Sequence, residues 1–448
     1  MTRFEPDATV ATTPSLKSGA RTMTEIPQAT LEASPTRELT NASATLFASV
    51  CERVKAANAP LAFVFKQVEE LAQFVPQWES LANASADANA FYEHWMLLPA
   101  LRTFHGGRDF SFVLVFGPDP ESPSGPPILY GFFPFERRLK YRGLPCPVLK
   151  LIKHKYMELC TPLVRRDLVA ECVTTLFDWM QSRSAGAPLV ELRFLGGEDR
   201  AAQEILAQLY QRRAVYYQSE CSARALFRPA ADAETFLNFA LTGKRRKEFR
   251  RLEKRLSESG RLDYKLLFCS ESPASWIEDF LALEAKGWKG QEGSAMALEN
   301  DRRVFFEQIS HAAHERGKLM MLGLFLDDRP VALKCNFVTG RGGFAFKIAF
   351  DEEFARSSPG VLLEIENVRR LHEMPNLAWM DSCAIPQHFM INRLWPDRRT
   401  LETFVVSLDT PTANLVVSAL PLLRWIKRAG KSFVHKFRRN DQPMRMNQ

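Results

Sequence analysis

The sequence predicts a mixed α/β protein of two tandem halves, each a largely antiparallel sheet flanked by helices. Three observations predict it. Strand-like runs alternate with helix-period runs along most of the chain, yet Leu319–Leu326, Val331–Thr339 and Gly343–Phe350 follow one another with only short gaps. The turns between these runs, Asp327-Asp328-Arg329-Pro330 and Gly340-Arg341-Gly342-Gly343, have the residue chemistry of hairpins. Hairpin pairing favours a mixed sheet over a doubly wound parallel one. Finally, residues 55–227 and 228–405 carry similar elements in a similar order, and 448 residues suffice for two such units.

Residues 1–50 are expected to form a disordered leader, because the first 45 are rich in Thr, Ser, Ala and Pro without a sustained apolar period. Order is expected from the strand Leu61–Phe65. Helical spacing follows through Val68, Leu71, Phe74, Trp78 and Leu81, and again over Ala88–Leu101. Phe110–Phe116 and Pro127–Phe133 read as a hairpin across a Pro/Gly-rich turn. Leu163–Ser182 reads as a helix, Leu189–Phe194 as a strand, Arg200–Arg212 as a helix and Ala214–Phe227 as a closing strand. The second half opens with a helix over Asp232–Ser259, a strand at Asp263–Phe268, and helices at Ala274–Gly287 and Arg302–Arg316. After the three hairpin strands come a helix at Val361–His372 and a strand at Leu377–Ala384. Residues 406–448 form a basic amphipathic tail.

Composition narrows the function classes. No apolar run approaches the length of a bilayer span, and the N-terminus lacks the apolar core of a secretory signal. The eight cysteines include no CxxC pair, which points to reduced thiols rather than a disulfide or zinc framework. A cytoplasmic protein is the expectation, with peripheral contact to an anionic inner-membrane surface as a further expectation for the tail. His311 and His314 share a helix face, but no other ligand cluster accompanies them, so no metal site is expected. The net charge of +7 is concentrated in Lys244–Arg255 and Arg424–Arg439. It suits an anionic co-substrate as well as a membrane, and nucleic acid is not the expected partner.

The most informative stretch is Phe344–Leu363, FAFKIAFDEEFARSSPGVLL. Strand, small-residue loop and helix follow in that order, an arrangement that offers unpaired helix-terminal N–H groups and the positive dipole end to an anion. Arg356 adds a bidentate donor beside Ser357, Ser358 and Gly360. An ordinary serine-capped connection with proline at the first helical position reads the same way.

Four segments together resemble one family. They are FLALEAKGWKGQEGSAM at Phe280–Met296, GKLMMLGLFLDDRPVALKCNF at Gly317–Phe337, FKIAFDEEFARSSPGVLL at Phe346–Leu363, and MDSCA with RLWPDRR between Met380 and Arg399. The resemblance is to the CelD-like, cellulose-biosynthesis-associated bacterial acetyltransferases of the GNAT superfamily, near the FemAB-like transferases. It is strongest over Thr235–Val405 and weaker over Leu61–Phe227. It implies two tandem GNAT-like domains, acetyl-CoA or another acyl-CoA as co-substrate, no metal, and direct attack on the thioester by an amine or hydroxyl of a sugar, lipid or cell-envelope and exopolysaccharide precursor.

The resemblance places the donor along Lys347, Ile348 and Ala349, whose backbone would stabilise the oxyanion, with its phosphates near Arg356, Ser357, Ser358 and Gly360. This chain departs from the usual phosphate loop by carrying Pro359 and Val361 at the glycine positions. Proline has no N–H, and valine keeps a phosphate at a distance. Asp381, Glu284 and Asp351 are the candidate general bases, and Trp288 and Lys289 the candidate substrate contacts. Two alternatives remain: FemAB-like aminoacyl transfer, and a catalytically silent scaffold in polysaccharide synthesis.

Overall fold

Branched and aromatic runs form strands, and runs with a 3.6-residue apolar period form helices, because those side chains pack best on a pleated and a helical surface respectively. A computed structural model describes residues 36–182 and 185–440, with side chains from Leu46 to Ile426. The described residues from Ser43 to Asn440 belong to a single unit.

The first half holds strands β1 (Leu61–Phe65), β2 (Asp109–Gly117), β3 (Ile128–Arg138), β4 (Val148–Leu151), β5 (Leu163–Val164), β6 (Leu189–Gly196) and β7 (Tyr216–Phe227). Its helices are α1 (Thr36–Ala57), α2 (Val75–Asn83), α3 (His94–Phe104), α4 (Val169–Gln181) and α5 (Arg200–Gln211). In the second half are β8 (Leu262–Leu266), β9 (Leu319–Leu326), β10 (Arg329–Thr339), β11 (Gly342–Phe350), β12 (Trp379–Asp381) and β13 (Asp397–Ser407). Helices α6 (Ala233–Ala240), α7 (Gly243–Ser257), α8 (Ala274–Lys286), α9 (Trp288–Gln291), α10 (Asn300–Glu315), α11 (Pro359–His372), α12 (Ile391–Leu394) and α13 (Pro411–Asn440) accompany them.

All these strands join one mixed, largely antiparallel sheet flanked by helices, in the order β1-β2-β3-β4-β6-β13-β7-β12-β11-β10-β9-β8, with β5 attached to β3. Each half supplies the same motif. Four antiparallel strands are followed by one parallel step, β4 to β6 in the first half and β11 to β12 in the second. The halves then exchange their closing strands. Chain order would set β7 beside β6 and β13 beside β12, but β13 pairs with β6, β7 pairs with β12, and the two pair antiparallel at the centre.

Cores cover both faces of the second half. Met320, Leu322 and Leu324 of β9 pack with Leu362, Leu363 and Val368 of α11 on one face. Met321 of β9, with Leu333 and Cys335 of β10, packs with Phe280 of α8 and Phe306 of α10 on the other. This alternation is the period-2 signature of a strand buried on both sides.

Several expectations change. The helix expected over Leu163–Ser182 is the short strand β5 followed by α4. The helix expected over Asp232–Ser259 is two: Leu241 is extended (φ −118°, ψ 130°), and the Thr242 side chain then caps α7 by accepting from the Arg245 amide. Strand β13 escapes the sequence pattern, because charged and polar residues interrupt its apolar alternation and three of its polar residues, Arg399, Thr403 and Ser407, are buried. The leader expectation falls largely on residues 1–35, outside those described, while α1 begins at Thr36. The tail starts as an integral element: Ala413, Val417 and Leu420 of α13 are buried with Val405 and Leu189, and Arg424 donates to the Ser219 carbonyl (3.0 Å). Among the described residues no helix is long and apolar enough to cross a membrane.

Candidate functional site

Strands β11 and β12 pair over three residues only, Gly342 to Phe344 against Trp379 to Asp381. β11 then runs on to Phe350 with that edge unpaired, since β10 occupies its other edge. The splay bounds a cleft of about 340 Å³, lined by Glu284, Trp288 and Lys289 around the α8–α9 junction, Ile348 to Phe350, Gly360 and His388 to Met390. The Ile348 carbonyl faces the unpaired edge, where Lys289 Nζ donates to it (2.9 Å). Within a strand a residue's N–H and C=O share an edge, so the Ile348 amide is presented to the cleft as well.

A β-bulge sets the direction of Lys347. Between Phe337–Phe344 and Cys335–Lys347 the register shifts, so that β11 has one residue more than β10. Ala345 therefore belongs to the core under α11, whereas Lys347 reaches α8 on the opposite face. There Lys347 Nζ lies 2.7 Å from Glu284 Oε1, Lys289 Nζ lies 3.2 Å from the same oxygen, and the Met296 amide donates to Oε2 (2.9 Å). Burial alone would raise the Glu284 carboxyl, but the Lys347 and Lys289 charges outweigh it and hold Glu284 below its ordinary value. Burial lowers Lys289, helped by Lys347 and opposed by Glu284. Glu284 thus anchors two cations and is a poor proton acceptor.

At the mouth of the cleft α11 begins with Pro359, where a missing N–H costs nothing. The Val361 and Leu362 amides turn back to the Ser358 carbonyl (2.9 and 3.2 Å), while the Gly360 amide has no acceptor among the described residues. Ser358 is left-handed (φ 50°), Ser357 is buried and Arg356 is exposed outside the cleft lining. Trp288 is 47 % exposed at the rim, its amide donating to Glu352 Oε1 (2.5 Å).

The other two candidate carboxylates lie elsewhere. Asp381 is fully buried and takes Arg224 Nε (2.6 Å), Arg224 Nη2 (2.8 Å) and the Cys383 amide (2.9 Å), with Arg399 Nη1 at 3.5 Å. Although burial opposes it, the Arg224 and Arg399 charges hold its carboxyl below the ordinary range. Asp351 caps the 352–357 turn by accepting from the Glu353 amide (3.1 Å), and it also pairs with Lys286 and Arg329. Neither lines the cleft. Of the three carboxylates the structure brings Glu284 alone together with Lys347, Ile348, Ala349, Trp288, Lys289 and Gly360.

Sequence reasoning passed over two contributors. His388 lines the cleft, and burial lowers its imidazole below the ordinary value, so it is neutral near pH 7. Its position just past the MDSCA segment was the available signal. The second contributor is the segment 152–161 of the first half. The splay between β4 and β6, counterpart of the open cleft, is filled by it: the Cys160 amide donates to the Phe194 carbonyl (3.0 Å), and Asn89 Nδ2 to the Thr161 carbonyl (2.8 Å). In crossing the junction it sets Tyr156 5.4 Å, ring centre to Nζ, from Lys347. No local pattern marks that contact.

Residues 243–389 match the family model described as Acetyltransferase (GNAT) domain. The match falls within the second half of the chain. FemX superposes on the chain with a TM-score of 0.51 at 11 % identity, covering 76 % of this chain and 98 % of that one. A conserved protein of unknown function from Bacteroides thetaiotaomicron gives 0.48 at 11 % identity, over 78 % and 100 %. The C-terminal DUF2156 domain of a putative lysylphosphatidylglycerol synthetase from Agrobacterium fabrum gives 0.45 at 12 % identity, over 79 % and 96 %. At such identities the FemX likeness is one of fold. No curated protein matches the chain. The matched residues run from α7 to the loop after β12 and hold every residue of the cleft lining but Met390.

Proposed function

We propose that the protein is an acyltransferase that moves an acetyl or acyl group from an acyl-CoA to an amine or hydroxyl of a sugar, lipid or envelope-precursor acceptor. The observation that carries this reading is the unpaired β11 edge at Ile348, opening into an apolar-walled cleft whose mouth is the N-terminus of α11. An extended thioester arm would add to that edge by backbone hydrogen bonds, leaving an N–H to meet the developing oxyanion. The phosphates of the donor fall to the Gly360 amide, the α11 dipole and Arg356, a sparser set than a glycine-rich loop provides. Positioning then supplies much of the rate, because the acceptor attacks the thioester directly. We assign the acceptor's proton to His388, the titratable group of the lining that is neutral near pH 7 and not committed to an ion pair.

The two-half division at residues 227/228, with closing strands exchanged, and membership of the CelD-like group belong to this reading. So does a first half that binds no donor, its splay being occupied by residues 152–161. Thermal-shift screening with acetyl-CoA, longer acyl-CoA and charged tRNA tests it, because a ligand of the native state raises the melting temperature. Stabilisation by an acyl-CoA is expected. Stabilisation by charged tRNA alone would favour aminoacyl transfer, and none by either would favour a silent scaffold.

A further inference from the structure

The face of the GNAT domain that meets residues 152–161 carries a second set of polar groups. Tyr156 is 7 % exposed, stacked on Phe305 of α10 (ring centres 5.9 Å apart, 21° between planes), and its hydroxyl has no hydrogen-bond partner among the described residues. A buried hydroxyl without a partner is costly, so its retention asks for a ligand. Two ammonium groups flank the same ring: Lys347 Nζ at 5.4 Å and Lys155 Nζ at 5.5 Å from its centre. Lys155 is exposed and has no carboxylate partner among the described residues, while Lys347 shares one oxygen of Glu284 with Lys289. Counting Arg302 and its partner Glu299, four cations stand against two carboxylates around this ring. Burial, reinforced by the Arg302 and Lys347 charges, lowers Lys155, as a local excess of cations would. Burial likewise raises the Tyr156 phenol, which stays protonated as a donor.

We propose that Tyr156 and Lys155, delivered by the first half, form with Lys347 a subsite for an oxyanion of the acceptor, a carboxylate or a phosphate. This rests on the acyltransferase reading and adds the acceptor's class: a molecule with an anionic group beside the amine or hydroxyl that is acylated. The phenolic O–H donates to the anion, Lys155 and Lys347 neutralise it, and the Phe305 stack fixes the ring. The same backbone path that closes the first splay brings Tyr156 to Lys347 of the second half.

The test uses the full chain, with inorganic phosphate and acetate as probes, titrated by thermal shift with and without saturating coenzyme A. Calorimetry of coenzyme A is run first, so that a failed donor site counts against the acyltransferase reading alone. Saturable stabilisation by one of the anions is expected in the wild type. With the donor site filled, Tyr156→Phe and Lys155→Ala are each expected to weaken it about tenfold to a hundredfold, the range for a lost charge-assisted hydrogen bond. Unliganded Tyr156→Phe is expected to melt no lower than wild type, since its hydroxyl satisfies nothing in the protein, and Arg356→Ala to keep the anion affinity. A preference for acetate assigns a carboxylate-bearing acceptor, and a preference for phosphate a phosphorylated one. Absence of saturable anion binding in the wild type, or unchanged affinity in both variants, overturns the proposal.

Discussion

Lys289 and Lys347 meet on one oxygen of Glu284, and that single geometry decides what the site residues can do. A carboxylate already serving two ammonium groups and an amide gives up basicity for position, which is why the proposed reaction gives the proton to His388. His388→Gln is expected to lower kcat by about 10²- to 10⁴-fold, the usual worth of a positioned acid–base group. Donor affinity should stay near wild type, and the acidic limb of the pH–rate profile, set by a pKa below 6.5, should disappear. Steady-state kinetics across pH check this; a limb retained in the variant assigns the proton elsewhere. The role proposed for Arg356 is on the donor instead. Arg356→Ala should weaken coenzyme A about tenfold, the lower end for a charge-assisted contact because the side chain is exposed, with the fold unaffected. Calorimetry giving wild-type affinity would move the phosphates away from the α11 N-terminus.

Adjoining strands at the centre of the sheet are tied by charge as well as by ladder hydrogen bonds. Asp381 of β12 holds Arg224 of β7 and faces Arg399 of β13, which in turn holds Asp199 just past β6 (2.6 Å). This chain of ions crosses the place where the halves exchange strands. Asp381→Asn leaves the Arg224 guanidinium, with a side chain 3 % exposed, without its main counter-charge. Breaking a buried pair from one side costs about 3–5 kcal/mol. The expected result is therefore a lower denaturation midpoint, with kcat per folded molecule little changed. A variant of normal stability but low kcat would restore Asp381 to the chemistry. The same scale separates the two parts of α13. Its first turns are core, while Leu415, Leu422, Trp425 and Ile426 are exposed, and no acidic residue occurs between Thr410 and Asn440. Truncation after Ile426 is expected to keep the melting temperature and to reduce binding to anionic liposomes. Undiminished liposome binding would retire the membrane contact.

For the whole molecule, buried histidines make stability depend on pH. Burial, helped by the Arg108 charge, lowers His105 to about 4, and burial drives His154 well below its ordinary 6.5. Between about pH 4 and 6.5 the unfolded chain binds protons at His105 that the folded chain refuses. The histidine's contribution is thus fully present above 6.5 and lost as pH falls through that window. Asp199, raised to about 6 by burial, works in the opposite sense, so the clean measurement is a difference. Wild type minus His105→Leu, in denaturant titrations at pH 7 and pH 4.5, is expected to fall by about 2–3 kcal/mol at the lower pH, from roughly 1.4 kcal/mol per pKa unit. A pH-independent difference would mean that His105 protonates freely in the fold. Much of the architecture was legible locally. Hairpin turns and the Phe344–Leu363 run mark the strands and the strand–loop–helix of the proposed donor site, because turn chemistry and apolar period act within a few residues. Glu284, Lys289 and Lys347 were legible as candidates, though not as a cluster. Periodicity and turn chemistry alone carry the mixed α/β class and the kinds of elements in the second half. Tertiary structure decided the exchange of β7 and β13, the bulge that turns Lys347 toward Glu284, the closing of the first splay by residues 152–161, and the retirement of Asp381 into an ion pair with Arg224. The physical reason is range: these features depend on register and on charges brought together from positions as far apart as the 200 residues between Asp199 and Arg399, which no local preference specifies.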